Sequence, residues 1–326
     1  MQYRKSLYKM KQLLTIFFLL ATFISCNSNQ RTEDSPVLHS KNLIAYIENP
    51  SQKGSNGLSW GRIVILDIDS QKKFYIKEKE SYVNNPVWIS DSKELVYLSE
   101  AESYDDPKYP LNFKFGQDLM AFNLKSRRNE LFFPKLEQTK QKFYILIRKV
   151  VAFSPGSFLV PQLNEVFQIT TPDYKISKLV ELDSSYYIHD IDLSPDKNIL
   201  ILSALELNSS RSAFIVYSLK DSAFKFTTKT VCSGGGWDIS SENFLLCNGR
   251  DIRNYNCIND SIETLKIPVN KPSEVAYTKD GKIIGFARKE EGDFKPNEVF
   301  IFSPKDKKLI WLTNDKIFKE KLNVLL

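Results

Sequence analysis

The sequence predicts an all-β fold, a six-bladed β-propeller with four antiparallel strands per blade, and three observations predict it. First, one unit recurs six times: an apolar stretch, a bulky residue, a Ser/Pro/Asp/Gly-type turn and a second apolar stretch. Second, its bulky residues, Leu38, Trp88, Phe153, Leu193, Ile239 and Tyr277, lie 50, 65, 40, 46 and 38 residues apart, with 49 more to the end. A four-stranded blade takes about 40–45 residues. Third, no stretch carries a clear amphipathic helical period, while short alternating apolar runs are common.

Residues 1–25 read as a targeting segment. Arg4, Lys5, Lys9 and Lys11 form a cationic start, followed by a twelve-residue apolar run, Leu13 to Ile24, interrupted only by Thr15 and Thr22. This is the pattern of a secretory signal. As a helix the run rises only about 18 Å, short of the roughly 30 Å hydrocarbon core. The run closes on Phe23-Ile24-Ser25-Cys26. A small residue followed by Cys at this place resembles the lipobox of bacterial lipoproteins. The resemblance implies cleavage before Cys26 and acylation of its thiol. Asn27 in place of Asp implies sorting to the outer membrane, on its periplasmic or cell-surface face. More than one acyl chain gives stable anchoring. Residues 26–35 are polar and aperiodic and read as a tether, and residues 36–326 as a single propeller domain.

Removing the signal leaves 301 residues (326 − 25), with 41 basic (45 − 4) and 39 acidic side chains, a net +2. The high isoelectric point thus belongs largely to the discarded segment, which argues against a nucleic-acid partner. Lys305–Lys308 and Lys316–Lys321 are mixed-charge stretches that read as a solvated turn and tail. Cys232, Cys247 and Cys257 fall within one proposed blade, so either a disulfide or small buried hydrophobes fit. With two His in the chain and no Cys-x-x-Cys, no metal and no cofactor are expected.

The clearest copies of the unit are Val275 to Phe286, Val87 to Tyr97 and Ile191 to Ile201; weaker ones begin at Phe153, Ile239 and Leu38. Two more strand-like runs follow each, as in Arg62–Leu66 and Lys73–Ile76, or Glu298–Phe302 and Leu309–Leu312. Asp69-Ser70, Lys220-Asp221 and Pro304-Lys305-Asp306 suit the intervening turns. The longest gap holds an insertion, Ala101 to Gly116. Either the stretch near Pro36 or Lys321–Leu326 supplies the last strand of the ring. The bulky-Ser-Pro-Asp-Gly-Lys pattern, best matched by Tyr277–Lys282 and Leu193–Asp196, resembles the WD-like repeats of TolB-type propellers over residues 36–314. The resemblance implies an envelope scaffold that binds proteins, peptides or glycans; fold alone does not fix function.

Innermost strands line a propeller channel, and alternate residues share a face. Counting back three from each bulky residue gives Ser35, Asn85, Val150, Asp190, Gly236 and Glu274; counting back one gives Val37, Val87, Ala152, Asp192, Asp238 and Ala276. Asp190, Asp192, Asp238 and Glu274 are therefore expected to form an acidic wall, with His189 and Trp237 beside it. Such a wall attracts a cation, an amine or a basic peptide, or simply hydrates the channel. The Tyr-rich insertion, with Tyr104, Asp105, Asp106 and Tyr109, is a second candidate interaction surface. Gly57-Leu58-Ser59-Trp60-Gly61 matches a nucleophile elbow in letters, but a strand, not a helix, is expected to follow it. His39 and His189 have no ligand-spaced partners.

The expected role is a lipid-anchored envelope module that binds or scaffolds a protein, peptide or glycan. The alternative is a glycan-active or other hydrolase or lyase using the acidic channel residues. Asp190 and Asp192, about 7 Å apart on a strand, meet the spacing of an inverting glycosidase pair, although one strand face seldom places two carboxylates across a bond.

Overall fold

The computed structural model describes residues 42–51, 54–55, 58–76, 80–89, 94–100, 117–132, 149–209, 211–229, 234–290 and 295–325. Cys26 and the tether, Leu38, His39, Tyr104, Asp105, Asp106, Tyr109 and Cys232 lie outside the described residues. Twenty-five strands and no helix occur among them. They form six blades of four antiparallel strands, with a two-residue arm, β2 (Gly54–Ser55), attached to the first.

Blade one runs outward as β25 (Phe318–Val324), β1 (Leu43–Asn49), β3 (Leu58–Asp67) and β4 (Lys73–Tyr75). Blade two is β5 (Ser81–Ile89), β6 (Glu94–Glu100), β7 (Gln117–Asn123) and β8 (Arg128–Leu131). Blade three is β9 (Val151–Ser154), β10 (Ser157–Gln162), β11 (Glu165–Thr170) and β12 (Lys175–Glu181). Blade four is β13 (Tyr186–Leu193), β14 (Ile199–Glu206), β15 (Arg211–Ser218) and β16 (Ala223–Thr228). Blade five is β17 (Gly235–Trp237), β18 (Asn243–Cys247), β19 (Ile252–Asn256) and β20 (Ser261–Leu265). Blade six is β21 (Asn270–Tyr277), β22 (Ile283–Arg288), β23 (Asn297–Ser303) and β24 (Lys308–Trp311).

The innermost strands touch one another in a closed circuit: β25 meets β5, β5 meets β9, β9 meets β13, β13 meets β17, β17 meets β21 and β21 returns to β25. The C-terminal segment therefore closes the ring. It pairs antiparallel to β1 from Asn49↔Phe318 to Ile44↔Val324. This corrects the reading of Lys316–Lys321 as a solvated tail: Lys319 is 2% exposed. Its ammonium is held by Glu298 at 3.1 Å and Asp315 at 2.6 Å, and it donates to the Ile317 carbonyl at 2.8 Å. Glu48, fully buried on β1, accepts from Lys73 at 2.5 Å and Arg62 at 3.3 Å, and Lys73 also pairs with Asp315. Three carboxylates and three cations thus neutralise one another at the junction of blades six and one, which is what makes their burial tolerable.

Each blade buries apolar faces against its neighbours, so the core is a chain of inter-blade clusters. Leu200, Leu202 and Ile215 of blade four pack with Leu159, Val166 and Val180 of blade three. Trp237, Phe244 and Tyr255 of blade five pack on Phe214 and Val216 of blade four.

Two turns repeat around the ring. Between first and second strands, Ser194 and Thr278 each accept an amide from across the turn (Ile199 N, 2.9 Å; Lys282 N, 3.0 Å) and donate to Asp196 (2.5 Å) and Asp280 (2.6 Å). This is the physical content of the Ser-Pro-Asp pattern. Between third and fourth strands, a non-glycine residue with φ of 51–56° stands four positions after the last residue of the third strand in all six blades: Gln71, Arg127, Tyr174, Ser222, Asp260 and Lys307. In five of them that last strand residue caps the turn amides, as Asp67, Asn123, Ser218, Asn256 and Ser303 do. Short polar side chains capping their own turn are what such loops select.

Gly61 shows why the elbow-like motif is there. It lies within β3 (Leu58–Asp67), a strand, and an added Cβ would stand 2.3 Å from the Glu48 carbonyl oxygen. Its role is close passage over β1.

Candidate functional site at the channel

Blade five changes the expected wall. Trp237-Asp238 occupies the place of Leu193-Ser194 and Tyr277-Thr278: Asp238 N donates to the Asn243 carbonyl just as Ser194 N donates to Ile199 and Thr278 N to Lys282. The bulky residue of this blade is thus Trp237, not Ile239, which is 51% exposed. Asp238 accordingly does not join the wall. Its carboxylate accepts from Glu242 N and Asn243 N, both at 3.1 Å, from Asn243 Nδ2 and from Ser240 Oγ, both at 2.8 Å. Trp237 is 2% exposed and packs edge-on against Phe244 at 5.2 Å.

The two channel positions of blade five therefore belong to Gly234 and Gly236. A Cβ on Gly234 would lie 2.9 Å from Glu274 Cγ, and one on Gly236 would lie 2.6 Å from Ala276 Cβ. The glycine run brings blades five and six together more closely than any side chain allows. It also leaves a cavity of about 60 Å³ bordered by Asp192, Gly235, Gly236, Trp237, Ala276 and Asn323. That is room for a few waters or one small group.

Glu274 is at the channel, but its carboxylate is committed. Its oxygens accept Lys321 N at 2.9 Å and Leu322 N at 2.6 Å. Those amides are free to leave β1 because β25 bulges there: pairing slips between Ala45 and Ile47, and Lys321 has φ 62°. On the other flank Asn323 Oδ1 accepts Trp88 N at 2.9 Å. The closing strand is thus clasped from blade six and from blade two.

Asp190 and Asp192 of β13 do come together, and a residue that sequence reasoning missed joins them. Lys149, just before β9, places Nζ 2.7 Å from Asp190 and 4.0 Å from Asp192. Both carboxylates reach one ammonium from one strand, instead of facing each other across a cleft. His189 falls at the point where the β13–β14 register slips, between Ile188 and Asp190. Burial pushes Asp192 up to about 6 in spite of the neighbouring Lys149 charge. Burial alone would lower Lys149, yet Asp190 and Asp192 hold it above the usual lysine value. Burial also raises Glu274, against the pull of Lys321 and the two amides.

No protein-family model and no curated protein matches the sequence. Among solved structures, TolB from Acinetobacter baumannii is similar with a TM-score of 0.59 and 13% identity, over 87% of this chain and 66% of TolB. The fold is a TolB-type six-bladed propeller. This chain spans just under two thirds of TolB's length. Regucalcin from Agrobacterium tumefaciens strain C58, a calcium-binding protein, shares 10% identity at TM-score 0.47, covering 70% of this chain and 72% of its own. Oligogalacturonate lyase from Vibrio parahaemolyticus shares 10% at 0.49, covering 77% and 75%. At such identities the likeness concerns the fold.

Two further observations complete the TolB-type ring. Cys247 and Cys257 are not bridged: their thiols donate to the carbonyls of Pro272 and Ser241, both at 3.1 Å. Among the described residues, no group of three potential metal ligands occurs and no helix is long and apolar enough to cross a membrane.

Proposed function

We propose that this protein is a cell-envelope binding module, held to a bacterial membrane by acyl chains on Cys26, whose propeller channel takes up one small polar group from a segment of an envelope protein or from a glycan. The observation that carries the reading is the Lys149–Asp190–Asp192 cluster beside the glycine-lined cavity. Asp192, whose titration burial displaces upward, borders open space, a setting typical of recognition sites. A ring clasped on both flanks of its closing strand holds these groups in place before a partner arrives, which lowers the ordering cost of binding. Lys149 supplies a donor and the two carboxylates supply acceptors, so the fitting segment carries both polarities. The Tyr104–Tyr109 insertion, on the connection between β6 and β7, is a second surface for the same partner.

The test is affinity capture from detergent-solubilised envelope by the wild-type chain and by a Lys149→Met/Asp190→Asn/Asp192→Asn variant. A reproducible protein partner or glycan-array signal that the variant loses supports the channel reading; equal capture by both chains contradicts it. For the anchor, an alkynyl fatty acid fed to the cells labels the wild-type chain and leaves Cys26→Ser unlabelled.

A further inference from the structure

A cavity of about 630 Å³ lies away from the channel, between blades five and six. This is within the roughly 300–1,000 Å³ of small-molecule sites. Its floor is apolar: Ile283 is 1% and Phe302 7% exposed, and Leu265 and Ile267 are half-buried. The connection from β20 to β21 walls the space, and its Leu265, Ile267 and Val269 pack, partly buried, against the core that contains Ile283 and Phe302. Ile267 N donates to the Leu265 carbonyl at 3.1 Å and Val269 N to the Ile267 carbonyl at 2.8 Å, two successive three-residue turns centred on Lys266 and Pro268. Two uncharged polar side chains line it, Tyr277 and Asn254; the Tyr277 hydroxyl donates to Asn254 Oδ1 at 3.2 Å and keeps its own lone pairs available. At the mouth stand Lys266 and Lys307, both exposed and without an ion-pair partner among the described residues, opposed by a single carboxylate, Glu263.

We infer that this groove is a binding site for a small anionic amphiphile, an apolar chain ending in a carboxylate, with the chain on Ile283 and Phe302 and the anion between Lys266 and Lys307. The site shares only Tyr277 with the lining of the channel cavity and none of Lys149, Asp190 and Asp192, so either reading stands or falls alone. The charge balance at the mouth, two cations against one anion, sets the expected preference: anion over neutral over cation.

The test is titration calorimetry of the full chain carrying Cys26→Ser with laurate, dodecanol and dodecylammonium, each below its aggregation limit. Laurate is expected to bind one to one with Kd of about 10–300 µM, the range of a fourteen-heavy-atom ligand, and dodecanol at least fivefold more weakly. Lys266→Gln/Lys307→Gln should weaken laurate at least fivefold and leave dodecanol unchanged. Ile267→Trp, which fills the space from a half-buried position, should abolish both, with thermal melts confirming that it folds. Absence of saturable laurate binding to the folded wild type overturns the inference. So does laurate binding that survives Ile267→Trp, or that ignores the lysine substitutions.

Discussion

Glu274 is where the closing strand is most open to a single change. Glu274→Ala leaves the amides of Lys321 and Leu322 without their acceptors. A buried donor left unpaired costs about 1–3 kcal/mol. Part of this is returned, because the alanine no longer desolvates a carboxylate, a burden visible in the upward displacement of its titration. The net expectation is a loss of about 2–4 kcal/mol, or about 4–8 °C in Tm for a domain of this size. Glu274→Gln keeps one acceptor but turns an NH₂ toward the second amide, so it should fall within about 1 kcal/mol of the alanine. Lys321→Ala keeps its backbone amide and should change stability by about 0.5 kcal/mol or less. Urea unfolding followed by circular dichroism reads all three. A Lys321→Ala loss equal to that of Glu274→Ala would show that charge pairing, not amide capture, is the role of Glu274, and would refute the clasp.

Further outcomes follow from the channel and the turns. Asp192 has a raised titration, near 6 against an ordinary aspartate of about 3.9, so the folded state holds its proton more tightly than the unfolded one. Its contribution is full below about pH 4 and lost as pH rises through about 6. Asp192→Asn removes that slope and should gain about 2–3 kcal/mol relative to wild type between pH 4 and pH 7.5, measured by urea unfolding at both; a constant difference would be contrary to it. Ser222→Gly and Lys307→Gly relieve left-handed backbone at φ 52° and 51° and should each stabilise by about 0.5–1 kcal/mol; a loss would mean that their side chains matter more than their backbone. Gly236→Ala sets two β-carbons 2.6 Å apart across blades five and six and should destabilise by about 2 kcal/mol or more; an unchanged melt would mean that the blades separate freely.

Much of the ring is legible in the sequence because its repeat is chemical. Ser194 and Thr278 bond both their turn aspartate and an amide, so bulky-Ser/Thr-x-Asp marks the handover from first to second strand in blades four and six. The third-to-fourth turns repeat just as regularly, but their left-handed residues are Gln71, Arg127, Tyr174, Ser222, Asp260 and Lys307. No single letter marks the conformation. The closing strand is hidden for a different reason: Phe318–Val324 carries no repeat, and its lysines look solvated until Glu298, a neighbour only in space, joins Asp315 in neutralising Lys319.

Alternation along a strand is local, and it sets Asp190 and Asp192 together on β13 and Glu274 on β21, where the structure has them. It misleads at blade five, where the bulky residue is Trp237 and not Ile239; that difference of two positions exchanges Asp238 for Gly236 in the wall. Asp238 next to Ser240 and Asn243 carried a usable signal, since that spacing suits a turn cap. Lys149 gave no such sign. It precedes β9, and only the approach of β13 makes it a partner of Asp190 and Asp192.

The channel exists only if the ring is closed by β25. Hydrogen–deuterium exchange resolved on peptides spanning Phe318–Val324 tests this most directly. Amides of β25 that pair with β1 or reach Glu274 should be protected to the same degree as those of β14 and β15 in blade four. Exchange of that segment at free-peptide rates, while β14 and β15 remain protected, would contradict the closure.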